Sequence, residues 1–184
     1  SKLSLPVPSL GVTQTDIEKV KSLFPHDVNI DNLFNCFKSL FNQKRPREQI
    51  SNINIPKLIS TELNISIDIL KNGDISELLK LDCDWLNNLL RVKHIKSLEN
   101  IIEKVPNILK KELEILLEKS KEVKYSNIII APMYYGSLKY YNGVYYRVID
   151  KNLVLCRGGM YETDGISSLG FALYTDNLLK MLEG

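Results

Sequence analysis

Tyr140-Tyr141-Asn142-Gly143, Arg157-Gly158-Gly159-Met160-Tyr161-Glu162 and Leu169-Gly170-Phe171-Ala172-Leu173 are the segments whose reading decides the fold. All three sit in surroundings rich in Val, Ile and Tyr that follow a period of two, which places them on or beside successive β-strands. Glycines let backbone approach a small molecule closely, and tyrosines offer flat apolar faces with hydroxyl tips. The three together read as a ligand site from which charge is largely absent. Each also has a local alternative: Asn142-Gly143 suits a type I′ hairpin turn, and Gly158-Gly159 suits a bulge or a turn. Neither fits a phosphate loop, whose glycines open a helix.

Outward from these segments, 125–131 reads as a buried strand. Residues 144–149 and 153–156 form a hairpin around Asp150-Lys151-Asn152, and 168–174 is a further strand. A closing helix over 175–183 turns Leu178, Leu179 and Leu182 inward. Upstream, 55–123 is almost wholly helical. Asn72-Gly73 marks a turn before a run with Ile75, Leu78, Leu79 and Leu81; Ser97 opens a helix with Leu98, Ile101, Ile102 and Val105 inward; Pro106 precedes Ile108, Leu109, Leu113, Leu116 and Leu117. Earlier still, Pro6 and Pro8 give an extended arm, and short helices are expected at 15–24 and 31–41. The fold class is α+β, with an unplaced arm and short helices over 1–54, a helical module over 55–123 and a β-rich part over 124–184.

Composition narrows the function. The 184 residues, 44% hydrophobic, can bury a substantial core. With 24 basic and 22 acidic side chains the net charge is +2, which leaves no field for nucleic acid or an anionic membrane. Lys44, Arg45 and Arg47 read as a solvated loop. No apolar run reaches the ~20 residues of a membrane span, so a cytoplasmic address is expected. Cys36, Cys83 and Cys156 read as unpaired thiols, and His26 and His94 lack partners at metal-ligand spacing.

In order and spacing the decisive segments resemble the C-terminal half of the histidyl-tRNA synthetase catalytic fold, and more closely its non-catalytic relatives, the regulatory subunits of ATP phosphoribosyltransferase. The family pattern runs Arg-Gly-Leu-Asp-Tyr-Tyr-Thr-Gly, then Gly-Gly-Arg-Tyr-Asp, then a strand of the type Ala-Val-Gly-Phe-Ala followed by a helix. Here the corresponding runs are Gly136 to Gly143, Gly158 to Glu162, and Ser168 to Leu173. The resemblance implies a mixed, largely antiparallel sheet of the class II synthetase type, preceded by a helical insertion. It also implies a chain without the synthetase's anticodon-binding domain.

The departures carry as much as the matches. Gly136 stands where a synthetase has the arginine that steadies charge on carboxylate and phosphate, Lys139 replaces an Asp, and Met160 and Asn177 replace arginines. Adenylate formation would lose its electrostatic support. What the resemblance implies is therefore a non-catalytic subunit that pairs with a short-form ATP phosphoribosyltransferase catalytic subunit, as a homo-oligomer within a hetero-oligomer. It would sense histidine as feedback effector, without cofactor or metal. Tyr141 and Tyr161 would line the imidazole, with Tyr140, Gly158, Gly159 and Gly170 shaping the backbone. Two alternatives stay open: a divergent synthetase-like enzyme that activates histidine with ATP, and a scaffold that binds neither.

Overall fold

A computed structural model describes residues 30–73, 75–135 and 141–183. The expected arm over 1–11, the helix over 15–24, His26, and the segment 136–140 with Gly136, Lys139 and Tyr140 lie outside them. The elements are α1 (Ile30–Asn42), β1 (Arg47–Asn52), α2 (Asn54–Glu62), α3 (Ile67–Asn72), α4 (Ile75–Leu79), α5 (Asp84–Leu90), α6 (Ile95–Ile102), α7 (Asn107–Glu122), β2 (Ile128–Ile130), β3 (Tyr141–Asp150), β4 (Leu153–Thr163), β5 (Ile166–Leu173) and α8 (Thr175–Glu183). The strands form one sheet in the order β2-β1-β3-β4-β5. β1 and β2 run parallel and every other pair is antiparallel, so the fold is α+β with a mixed sheet.

The region read as an arm with short helices contains a strand. β1 lies inside the sheet, paired to β3 over six residues from Arg47↔Ile149 to Asn52↔Val144. Its sequence hides it: Arg-Glu-Gln-Ile-Ser-Asn has one apolar residue, yet Glu48, Ser51 and Asn52 are buried. Period-two hydrophobicity is the usual strand signal, and here pairing on both sides overrides its absence. The helical stretch is consequently the connection from β1 to its parallel neighbour β2, the kind of long crossover that parallel pairing requires.

Helices cover one face of the sheet. A single core runs from Ile55 and Ile59 of α2 and Leu109, Leu113 and Leu116 of α7 through Ile50, Val148 and Cys156 of the sheet to Leu178 of α8. Local chemistry starts and stops these helices. Ser66 Oγ accepts from the Asp68 N–H at the head of α3, and Gly73 ends that helix at φ +64°. Ser97 Oγ accepts from the His94 N–H at the head of α6. Leu98, Ile101, Ile102 and Val105 are buried as expected.

Elsewhere the apolar stripes are narrower than periodicity suggests. α4 is five residues long, too short to present two inward turns, so Leu78 is buried while Ile75 and Leu79 are exposed. Leu179 of α8 is likewise exposed, because the helix docks through Leu178. The strands differ in extent as well: β2 is only three residues, and the hairpin continues past its expected ends to Tyr141 and Thr163.

Candidate functional site

The face of the sheet turned away from the helices carries the tyrosines. Alternation along β3 sends Val144, Tyr146 and Val148 into the main core, leaving Tyr145 and Arg147 on the opposite side. Register continues this face across four strands. Ser51, Tyr145, Gly159 and Gly170 form one row, and Gln49, Arg147, Arg157 and Ala172 form the next. Tyr141 pairs with Tyr161 beyond them.

Asn142-Gly143 is therefore no hairpin turn. It lies within β3, where three residues between Tyr141 and Tyr145 oppose the single Met160 between Gly159 and Tyr161. Gly143 takes φ +86° in this bulge, a conformation that glycine adopts without strain. The turn itself is at Lys151 and Asn152, with Lys151 at φ +53°.

Tyrosine rings occupy the space that the glycines leave. A Cβ on Gly159 would stand 3.0 Å from Tyr141 Cδ1 and 2.8 Å from the Val144 carbonyl oxygen; one on Gly170 would stand 2.9 Å from Tyr161 Cε1. Tyr141 and Tyr145 are buried with Ile53, and Tyr134 and Tyr161 pack against them. Tyr134 stacks on Tyr145 with centroids 5.7 Å apart and planes at 11°, while Tyr141 meets Tyr145 at 5.0 Å and 57°. Burial pushes the Tyr145 phenol well above its ordinary range, with Arg157 and Arg147 pulling in the opposite direction. Its hydroxyl stays protonated and can donate.

Of the expected site residues, Tyr141, Gly159, Tyr161 and Gly170 are brought together here. Gly158 belongs to the other face, where a Cβ would stand 2.3 Å from the Tyr146 ring inside the main core. Tyr140 lies outside the described residues. Met160 packs against the main core rather than into the tyrosine cluster. Asn177 serves the fold, since its Nδ2 donates to the Val154 carbonyl at 2.7 Å and so fastens α8 to β4.

Four residues join the site that sequence reasoning passed over: Tyr134, Tyr145, Arg147 and Arg157. Arg147 Nη2 donates to Gln49 Oε1 at 2.6 Å, and its guanidinium carbon stands 4.0 Å from the Tyr134 ring centroid. Arg157 lies 5.4 Å from the Tyr174 centroid. The signal was available in part, since Arg147 follows Tyr145 by two. Arg157 was harder to find. Counting outward from the turn sets Arg147 opposite Cys156, but Leu155 is an extra residue in β4 that shifts the pairing by one and brings Arg157 across instead.

Among the described strand residues on this face there is no carboxylate, thiol or histidine. The face combines packed tyrosine rings with hydroxyl and guanidinium donors. No group of three or more His, Cys, Asp or Glu that could hold a metal occurs among the described residues, and no helix there is long and apolar enough to cross a membrane. A concavity of about 880 Å³ opens away from this face, beside β2 and the start of α6, lined in part by Arg47, His94, Lys96 and Asn127. It too is without a carboxylate or thiol.

No family model matches the chain. It is 34% identical over 146 residues to an ATP phosphoribosyltransferase regulatory subunit from Wolinella succinogenes, covering 79% of this chain and 50% of that protein. A regulatory subunit of the same name from Helicobacter hepaticus is 31% identical over 137 residues, covering 74% of this chain and 49% of its own length. The chain thus spans about half the length of the curated relatives it matches. Among solved structures, an ATP phosphoribosyltransferase regulatory subunit/histidyl-tRNA synthetase from Bacillus halodurans superposes with a TM-score of 0.63 at 15% identity, over 84% of this chain and 50% of that one. The chain is accordingly a homologue of ATP phosphoribosyltransferase regulatory subunits over about half of their length, folded as part of a histidyl-tRNA synthetase-like domain.

Proposed function

We propose that this chain acts as a non-catalytic regulatory subunit of ATP phosphoribosyltransferase, or as the part of one that carries the effector face. Its partner would be a separate short-form catalytic subunit, the two together forming a hetero-oligomer in the cytoplasm. The observation that carries the reading is the pairing of two findings: identity of 34% and 31% to curated regulatory subunits, and a tyrosine-rich face whose described strand residues include no carboxylate, thiol or histidine. Histidine is the proposed effector, its imidazole placed against Tyr145, Tyr141 and Tyr161. A regulator of this kind works by differential affinity, binding histidine better in one state of the complex, with a coupling of ~1–3 kcal/mol.

The test is an activity assay of a short-form phosphoribosyltransferase catalytic subunit with and without this chain, followed by a histidine titration of the mixture. Activation of at least several-fold, reversed by histidine, is the expected result. Binding without activation would replace the regulator by a scaffold. Histidine-dependent exchange of pyrophosphate into ATP by the chain itself would replace it by an enzyme.

A further inference from the structure

Arg147 and Arg157 are the directly opposed pair of β3 and β4, on the same face as the tyrosines. Like charges at such positions repel, because their Cβ atoms are roughly 5 Å apart. Arginine cannot escape by losing its proton. Neither side chain has an ion-pair partner among the described residues; the acids nearest along these strands, Glu48 and Asp150, are turned to the opposite side, where Asp150 is held by Arg45 at 3.1 Å. The Nε atoms of Arg147 and Arg157 are both buried without a hydrogen-bond acceptor. One row along, Ser51 is fully buried, and its Oγ has no partner either.

Tyrosines hold these charges in place without neutralising them. Arg147 lies over Tyr134 and Arg157 near Tyr174, contacts that favour a cation but leave its in-plane N–H donors unspent. Only one of those donors is accounted for, by Gln49. Two planar forks, the Ser51 hydroxyl and the Tyr145 phenol thus share one face, where N–H donors outnumber the one carbonyl acceptor, Gln49 Oε1, that engages them. Oxyanions match such a set, since a carboxylate or phosphoryl group offers several lone pairs to bidentate arginine.

We propose that Arg147 and Arg157, with Ser51 beside them, form a receptor for one oxyanion, the carboxylate or phosphoryl group of a small molecule whose body lies along Tyr134 and Tyr145. This receptor does not depend on histidine sensing. Its charge repulsion is relieved when the anion arrives.

Thermal unfolding of the chain at constant ionic strength, in chloride, acetate or pyrophosphate, is the first measurement. Titration calorimetry with histidine and with histamine, which lacks the carboxylate, is the second. A rise in melting temperature with pyrophosphate assigns the site to phosphoryl groups, and binding of histidine but not histamine assigns it to carboxylates. Arg157→Gln is expected to weaken whichever oxyanion binds by roughly ten- to a hundred-fold, while melting no lower than the parent in chloride. Arg157→Lys keeps the charge and the fold but loses the fork, and should weaken binding to a smaller extent. The proposal is overturned if no oxyanion binds, if either variant binds as tightly as the parent, or if Arg157→Gln lowers the melting point in chloride. Equal binding of histidine and histamine, unaffected by Arg157→Gln, would keep the tyrosine pocket and remove this receptor. Pyrophosphate binding without histidine binding would do the reverse.

Discussion

Gly158 and Gly170 both lie under a tyrosine ring, and their different surroundings predict different responses to one added methyl group. Gly158→Ala would drive a Cβ to 2.3 Å from Tyr146, whose side chain is locked in the main core. Overpacking of that kind costs about 2–3 kcal/mol. Gly170→Ala meets Tyr161 at 2.9 Å, and this ring, half-buried at the edge of the tyrosine cluster, can swing away for under about 1 kcal/mol. Urea unfolding of the two variants gives the comparison; equal losses would mean that the two rings are equally confined. Glu48 supplies a second residue-scale prediction. Its carboxyl is 3% exposed, and burial raises its pKa from 4.5 to about 7. The folded state thus holds the proton more tightly than the unfolded chain does. The contribution of Glu48 to stability is therefore greatest below pH 4.5, falls as pH rises to about 7, and levels off above it, a loss on the order of 3 kcal/mol. Glu48→Gln should remove most of that slope, stabilising the protein by about 2 kcal/mol at pH 8 and hardly at all at pH 4. Unfolding midpoints across this pH range are the readout.

At the scale of elements, β2 to β5 and the helices were legible, whereas β1 was not. β3 and β4 announce themselves through Val, Ile and Tyr at alternating positions and through the Asp150-Lys151-Asn152 turn, β5 through its Leu-Gly-Phe-Ala-Leu run, and α8 through leucines at helical spacing. β1 does not, because three of its four buried side chains are polar and its tertiary anchor lies far along the chain. Asn52 shows how. Its Nδ2 donates to the Glu112 carbonyl at 3.1 Å and to Glu112 Oε2 at 2.7 Å, and its Oδ1 accepts from the Asn54 N–H at 3.0 Å. One side chain therefore ties β1 to α7 and starts α2. Asn52→Ala should destabilise the fold by about 2–3 kcal/mol, since it leaves a half-buried carboxylate and an amide N–H without this partner. Chemical denaturation measures this directly. The same distinction explains the site: tyrosines and glycines stand out in one dimension, but the faces they occupy depend on bulges at Asn142-Gly143 and Leu155 that only pairing reveals.

Over the whole molecule, helices and sheet share one hydrophobic core, so the helical stretch is expected to unfold with the sheet rather than as a module of its own. Trp85, the single tryptophan, reports on α5, and most of the tyrosine ellipticity comes from the sheet and the loop beside it. Denaturation curves from tryptophan fluorescence and from near-ultraviolet tyrosine ellipticity should superimpose, as for a two-state domain. Separate midpoints would show instead that 55–123 is an independent unit. The position of β1 has a consequence for the order of events during synthesis. Gln49 leaves the ribosome 98 residues before Arg147, its partner on the neighbouring strand. Until β2 and then β3 follow, β1 is a strand without its neighbours, the kind of segment through which nascent chains stick to one another. Its glutamate, serine and asparagine keep it hydrated while it waits. Replacing Glu48 and Ser51 by valine is expected to increase light scattering when the denatured chain is diluted into buffer, because a strand that must linger in water is safer polar than greasy.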